Sequence, residues 1–333
     1  MSTTLDPGTV KRSGQRANFK TEVRRSKIRV QDTSTMLLNH LRRKSSLLRC
    51  FNVHRHRKYT IALTRDVSPS LSMALSFVEP AEPISFNRAR AQHEEYINAL
   101  RSKIGLTTVI LPSSICHPDC VFIEDTAVVI GHLNKAVITR IGAESRQGEV
   151  DATKDILERL GLEVFDMRDV KGATCDGGDV LYPANHKTGG KHLFVGMSDR
   201  SNRKGSDFLQ KVFPEVEVVP VPNIDNSGLL HLKSIVTHID ERTLLLPSGK
   251  LGDELYSAMG AAKRGYHSVR VPDLSSCNVV SVNGYVLVPL TSCEESRMII
   301  EKACEERNIK VLTLNSSEFA KVDGALTCKS ILL

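Results

Sequence analysis

The chain has 333 residues, 41% hydrophobic and 25% charged, the balance of a globular protein. No run approaches the ~20 apolar residues that a membrane helix needs. The formal charge of +7 is unevenly placed: residues 1–58 hold fifteen Lys and Arg against three acids, or +12, which leaves −5 for residues 59–333. The body of the chain is therefore mildly acidic, and the basic character belongs to the N-terminal stretch.

That stretch is rich in Arg, Lys, Ser and Thr, with basic runs at Arg24-Arg25 and Arg42-Arg43-Lys44. Three readings stay open. It is a solvated disordered tail, a mitochondrial transit segment interrupted by Asp6 and Glu22, or a patch for nucleic acid or a membrane surface. The last lacks aromatic residues among the basic ones and any visible binding fold. Eight cysteines (50, 116, 120, 175, 277, 293, 304 and 328) follow no disulfide framework, and no signal-peptide pattern opens the chain. The expectation is a reduced, intracellular, cytoplasmic protein, mitochondrial if residues 1–58 act as a transit segment.

From Tyr59 onward, short runs rich in Val, Ile and Leu predict strands over 59–63, 107–111, 120–123, 127–130, 136–139, 163–166, 179–182 and 192–197. Further strands are predicted over 215–221, 235–239, 243–247, 268–271, 279–282, 285–289 and 310–314. Asn283-Gly284 between two of these runs is a hairpin signal, because a type I′ turn needs positive φ at both central residues. Helical periodicity covers 89–103, 151–160 and 294–306. Met298, Ile299 and Ala303 are expected to face inward in the last of these. Strands outnumber helices several-fold, so a repeated mixed unit of several strands per helix fits better than plain βαβ winding. No strong linker follows residue 58, and residues 59–333 are read as one domain.

Four segments combine reactive side chains with backbone punctuation. Pro118-Asp119-Cys120-Val121-Phe122-Ile123-Glu124-Asp125 sets three carboxylates in and after an apolar run. Buried carboxylates need partners, and a guanidinium offers five N–H donors in a planar fork. Its ordinary reading is a solvated strand end. A zinc site at Cys116-His117-Pro118-Asp119-Cys120 lacks a second ligand pair. Cys175-Asp176-Gly177-Gly178-Asp179 lets backbone approach a ligand closely, or is a plain turn. Leu230-His231-Leu232-Lys233-Ser234 offers an imidazole, although a lone His beside apolar residues is usually structural. Val322-Asp323-Gly324-Ala325-Leu326-Thr327-Cys328 offers a thiol after a glycine turn, although a free Cys is usually a small buried hydrophobe. Together they supply a nucleophile, an imidazole and carboxylates.

These four segments, in this order, resemble the eukaryotic dimethylarginine dimethylaminohydrolases. Ile138-Thr139-Arg140, the run from Phe194 to Asn202 and the helix around Gln92-His93-Glu94-Glu95-Tyr96 extend the likeness. It covers the chain from about Tyr59 to the C-terminus. The resemblance implies an α/β fold, the five-bladed α/β-propeller of the guanidine-modifying (pentein) superfamily. It implies hydrolysis of asymmetric dimethylarginine and monomethylarginine to citrulline and dimethylamine or methylamine, which relieves inhibition of nitric oxide synthase. Arginine deiminase or amidinotransferase activity is the alternative within the superfamily.

The implied nucleophile is Cys328, with His231 and Asp176 as the other catalytic residues. Asp125 and Asp176 are expected to hold the guanidinium, with Glu124 also at the substrate. Arg140 and Arg200 are expected on its α-carboxylate. Asp119 and the backbone carbonyl of Leu75, in a lid, are expected at its α-amino group. No cofactor and no metal are expected. Zinc is expected only as an inhibitor at Cys328 and His231. The implied partner is the small substrate alone, with no nucleic acid or membrane, in a monomer or weak homo-oligomer. The chain departs from the family at Ala325, where vertebrate members carry Leu, and at Lys329, where some carry a second Cys. Residues 186–191 and 224–227 look longer than in the family.

Overall fold

Five apolar runs, each largely buried on both faces, become the central strands of five three-stranded sheets. The computed structural model describes residues 59–184, 190–223, 231–291 and 293–333. In the first sheet β1 (Ile61–Arg65) pairs in parallel with β2 (Thr107–Leu111) across helix α1 (Phe86–Asn98), which runs on through a π turn at Ala99–Lys103. In the second, β3 (Ala127–Ile130) lies antiparallel to β4 (Lys135–Ile138), and helix α2 (Val150–Arg159) leads to β5 (Glu163–Asp166), parallel to β4.

The same order recurs three times. The third sheet has β6 (Val180–Leu181), β7 (His192–Gly196), α3 (Arg203–Val212) and β8 (Glu217–Val221). The fourth has β9 (Thr237–Asp240), β10 (Thr243–Pro247), α4 (Lys250–Ala258) and β11 (His267–Val271). The fifth has β12 (Val280–Val282), β13 (Tyr285–Pro289), α5 (Glu294–Glu305) and β14 (Lys310–Leu314). After a short helix α6 (Ser317–Ala320), β15 (Ile331–Leu332) returns antiparallel to β1 and completes the first sheet. The chain's last strand thus closes the unit that its first strand opened.

Apolar clusters join neighbouring sheets pairwise. Leu63 and Val109 meet Ala136 and Ile138, and Val128 and Val137 meet Leu193 and Val195. Phe194 and Val219 meet Leu244 and Leu246, and Ile239 and Leu245 meet Val286 and Val288. The series ends where Val282 and Leu287 of the fifth sheet meet Ala62 and Leu106 of the first. The Asn283-Gly284 hairpin forms as expected, with φ of 50° and 81°. Asn283 also exchanges hydrogen bonds with the backbone of Tyr59 (3.0 and 2.8 Å), which ties the fifth unit to the start of the first.

The feature that positions the site is smaller. A single turn of 3-10 helix stands shortly before the antiparallel edge strand of every sheet: Ile123–Thr126, Gly177–Asp179, Leu232–Ser234, Leu274–Cys277 and Thr327–Lys329.

Two expectations need correction. Residues 120–123 form no strand. Cys120 N–H and Phe122 N–H donate three residues back, to His117 and Asp119, and the chain turns. The run is apolar because it is buried beneath the site, and burial alone does not distinguish a strand from a turn. Met298 is 59% exposed, whereas Ala303 is buried and Ile299 packs against the core as expected, and Ser296, Ile300 and Cys304 complete the inward face of α5. Residues 186–189 and 224–227 lie outside the described residues. Among the described residues no helix is long and apolar enough to cross a membrane.

Candidate active site

The single-turn helices bring four distant segments together. Asp125 sits within the first turn, Asp176 and His231 each precede one, and Cys328 lies inside the last. Asp125, Arg146, His231 and Cys328 line one cleft with Leu75, Asp119, Phe122, Arg200, Val322 and Asp323.

His231 is fixed by carboxylates. Its Nε2 lies 2.9 Å from Asp176 Oδ2 and 3.9 Å from Asp125 Oδ1. The other oxygen of Asp176 accepts the Gly142 N–H at 2.7 Å, so both oxygens of this fully buried carboxylate are occupied. Burial opposes the imidazolium, but the charge of Asp125 and the bond to Asp176 outweigh it and raise His231 to about 9. The same balance acts on Asp125: burial raises it, yet His231 and Arg146 hold it down at about 2. His231 therefore carries a proton at neutral pH. Burial and the nearby carboxylates of Glu124 and Asp125 push the Cys328 thiol up to about 12. Without a bound cation, the sulfur keeps its proton.

Backbone room is part of the design. A Cβ on Gly178 would stand 2.6 Å from His231 Nδ1 and 2.9 Å from Asp125 Oδ1, while the Gly178 N–H donates to that same oxygen at 2.9 Å. A Cβ on Gly177 would stand 1.9 Å from the Glu124 carbonyl oxygen. Only glycines let the second turn approach the first this closely. Asp179 locks the next layer, accepting from Ser198 and Ser201 hydroxyls (both 2.6 Å) and from the Leu232 N–H (2.9 Å).

The expected residues separate into three groups. Asp119, Asp125, Arg200, Leu75, His231 and Cys328 line the cleft. Asp119 there accepts the Leu75 N–H at 3.1 Å. Asp176 is not in the cleft lining; its two oxygens meet the Gly142 N–H and His231 Nε2, which orients the imidazole. Glu124 also lies outside the cleft lining. Its oxygens take Lys233 Nζ at 2.5 Å and the Thr327 hydroxyl at 2.9 Å, and it faces a separate cavity. Ala325 does not line the cleft either.

Arg140 is the clear departure. Its Nη2 donates to the Arg168 carbonyl at 2.5 Å, and it does not reach the cleft. The guanidinium on that wall belongs to Arg146, six residues on. Arg146 donates to Asp125 (2.7 Å), to both Glu149 oxygens (3.1 and 2.9 Å) and to the Phe122 carbonyl (3.1 Å). Among the described residues these bonds engage four of its five N–H donors and leave one for a ligand. The sequence carried one signal for it: Arg146 stands three residues before Glu149, the spacing of an ion pair on one helical face.

The metal-competent set in the described residues is Asp125, Asp176 and His231, whose ligand atoms lie within 4.8 Å of one another. Cys328 is not a member, and the three are already tied to one another and to Arg146.

The eukaryotic N,N-dimethylarginine dimethylhydrolase family model matches residues 74–258. A protein of Streptomyces coelicolor named N(G),N(G)-dimethylarginine dimethylaminohydrolase is 31% identical over 82% of this chain and 96% of its own length. An uncharacterized protein of Aeropyrum pernix is 30% identical over 83% of this chain and 96% of its own length. The solved dimethylarginine dimethylaminohydrolase of Pseudomonas aeruginosa in complex with citrulline superposes with a TM-score of 0.70. It covers 83% of this chain and 100% of its own at 23% identity, a likeness of fold. Fold and site together define a guanidine-type hydrolase of mixed α/β architecture. The chain belongs to the dimethylarginine dimethylaminohydrolase family.

One consequence concerns stability. His231 is raised above its unfolded value of 6.5, so the folded state binds its proton more tightly. The resulting stabilisation is complete below pH 6.5 and is lost as pH rises toward 9. Chemical denaturation of wild type and H231Q across that range should show the two stabilities converging as pH rises. A constant difference would contradict the assigned ion pairs.

Proposed function

We propose that this protein hydrolyses N-omega-methylated arginines, asymmetric dimethylarginine and monomethylarginine, to citrulline and dimethylamine or methylamine. In a cell this removes inhibitors of nitric oxide synthase. The observation that carries the reading is a carboxylate-fixed His231 sharing one cleft with the Cys328 thiol, beneath walls that offer both cations and anions.

The chemistry follows from those charges. A planar guanidinium entering between Asp125 and Cys328 adds a positive charge beside a sulfur whose ionisation the same carboxylates suppress. The bound substrate thus favours its own nucleophile, and the thiol proton leaves to solvent because His231 already carries one. The thiolate attacks the guanidinium carbon and forms a C–S bond. His231 gives its proton to the departing amine as the C–N bond breaks, which leaves a thiouronium on Cys328. The neutral imidazole then takes a proton from water, the water oxygen bonds to the carbon, and the C–S bond breaks to release citrulline. Arg200 and Arg146 bind the α-carboxylate, and Asp119 with the lid at Leu75 binds the α-amine. Arg140 has no place in this arrangement. R146Q should therefore raise KM for dimethylarginine by on the order of tenfold or more, while R140Q leaves it within about twofold. The reverse pattern would reject the assignment.

The five sheet units are the blades of a closed α/β-propeller. The support is the series of shared apolar clusters that ends between the fifth and first units. The basic N-terminal residues 1–58 lie outside this catalytic unit, which works as a monomer or weak homo-oligomer in the cytoplasm.

The deciding assay measures citrulline release from asymmetric dimethylarginine, monomethylarginine and arginine side by side. The methylated substrates should turn over faster. Faster turnover of arginine would favour a deiminase.

A further inference from the structure

Lys329 follows the nucleophile and has no solvent exposure. Its Nζ stands 4.5 Å from the Tyr96 ring centroid and 4.9 Å from that of Phe319, and it donates to the Ser316 hydroxyl at 3.2 Å. Among the described residues no carboxylate forms an ion pair with it. His93, stacked on Tyr96 at 6.4 Å, adds no second positive charge: burial, aided by Lys329, lowers it to about 3 and keeps it neutral.

The surrounding contacts clasp the chain on both sides of the sulfur. On one side Thr327 exchanges hydrogen bonds with the Asn278 side chain, both at 3.0 Å. On the other, Lys329 is caged by Tyr96 of α1 and Phe319 of α6, and the Tyr96 hydroxyl bonds the Ser330 hydroxyl at 2.7 Å. Phe319 belongs to the apolar cluster against which Cys328 packs.

A buried ammonium without a counter-ion is costly, and a methionine would fill much the same space without that cost. The charge therefore needs a use. The anion that the reaction creates next to it is the Cys328 sulfur.

We infer that Lys329 is a positioning residue for the reaction: its caged side chain pins the turn that presents Cys328 and, when protonated, carries a positive charge on the residue next to the nucleophile. Burial lowers the ammonium to about 7, while the charges of Cys328 and Glu95 pull it upward. The inference rests on Cys328 as nucleophile, but not on which guanidine is the substrate.

The test uses the full chain with K329M and S316A. Three quantities are read: thermal midpoint, kcat and KM on dimethylarginine, and the rate at which iodoacetamide alkylates Cys328, located by peptide mass spectrometry. K329M should keep or raise the thermal midpoint, lower kcat and the alkylation rate each by on the order of tenfold, and leave KM within about twofold. S316A, which loosens the cage but keeps the charge, should give a smaller drop in both rates. Unchanged alkylation and kcat in K329M would overturn the inference, as would losses that merely track a lowered thermal midpoint. If K329M does not fold, S316A decides, and wild-type rates in it would also overturn the inference. If wild type releases no citrulline from dimethylarginine, the substrate reading fails, and alkylation alone judges Lys329.

Discussion

Replacing Cys328 by serine should reduce citrulline formation by at least about 10⁴-fold and leave the fold intact. The two side chains differ by one atom, so the turn at Thr327–Lys329 and its anchor on Asn278 should survive. The chemistry should not. A hydroxyl is far harder to ionise than a thiol, and Glu124 and Asp125 already oppose an anion at this position. A guanidinium can pull the thiol into its reactive form, but it cannot do the same for a serine hydroxyl in the same field. The check is steady-state citrulline release with a thermal melt of the same sample. Wild-type turnover in C328S would remove the covalent step.

The second large effect is expected at a residue with no side chain. G178A should cost on the order of 10²-fold or more in kcat, because the added carbon would stand 2.6 Å from His231 Nδ1 and 2.9 Å from Asp125 Oδ1. Both groups would have to move. The Asp125 bond to the Gly178 N–H and the approach of the imidazole to its carboxylates would then be lost together. The stability cost of such overpacking is about 1–3 kcal/mol, enough to shift a melt without unfolding the protein at room temperature. Near-normal kcat in a folded G178A would show that the two turns do not need to lie so close. The effect tests the spatial convergence itself, since no catalytic side chain is altered.

Much of the site was legible because its residues mark the chain in a particular way. Asp125, Asp176, His231 and Cys328 each stand in or beside a short turn, and the sequence shows these as polar residues or glycines interrupting apolar runs. Gly177-Gly178 pointed to close backbone approach, and the packing supplies the reason. The two arginines were harder. Arg140 and Arg146 flank the same loop, and only the tertiary fold decides which faces the cleft. Arg140 is taken by the Arg168 carbonyl, whereas Arg146 is held by Asp125 and Glu149.

Elements were lost where local composition was ambiguous. Helix α3 carries Gly205 and Ser206 on its buried face, and α4 begins at Lys250 between Gly249 and Gly252, so neither shows a clear apolar periodicity. Strand β15 is two residues long, too short for any periodic signal, although it closes the first sheet. Residues 120–123 looked like a strand because a buried turn and a buried strand have the same apolar composition.

The central claim is that Cys328 attacks the substrate carbon with His231 beside it. The most direct test is acid-quench mass spectrometry during turnover of dimethylarginine, with H231Q included to slow release of the intermediate. A thiouronium adduct should appear on the peptide carrying Cys328, in greater yield when His231 is replaced. Full-rate citrulline production with no adduct on that peptide, or an adduct on another cysteine, would contradict the account.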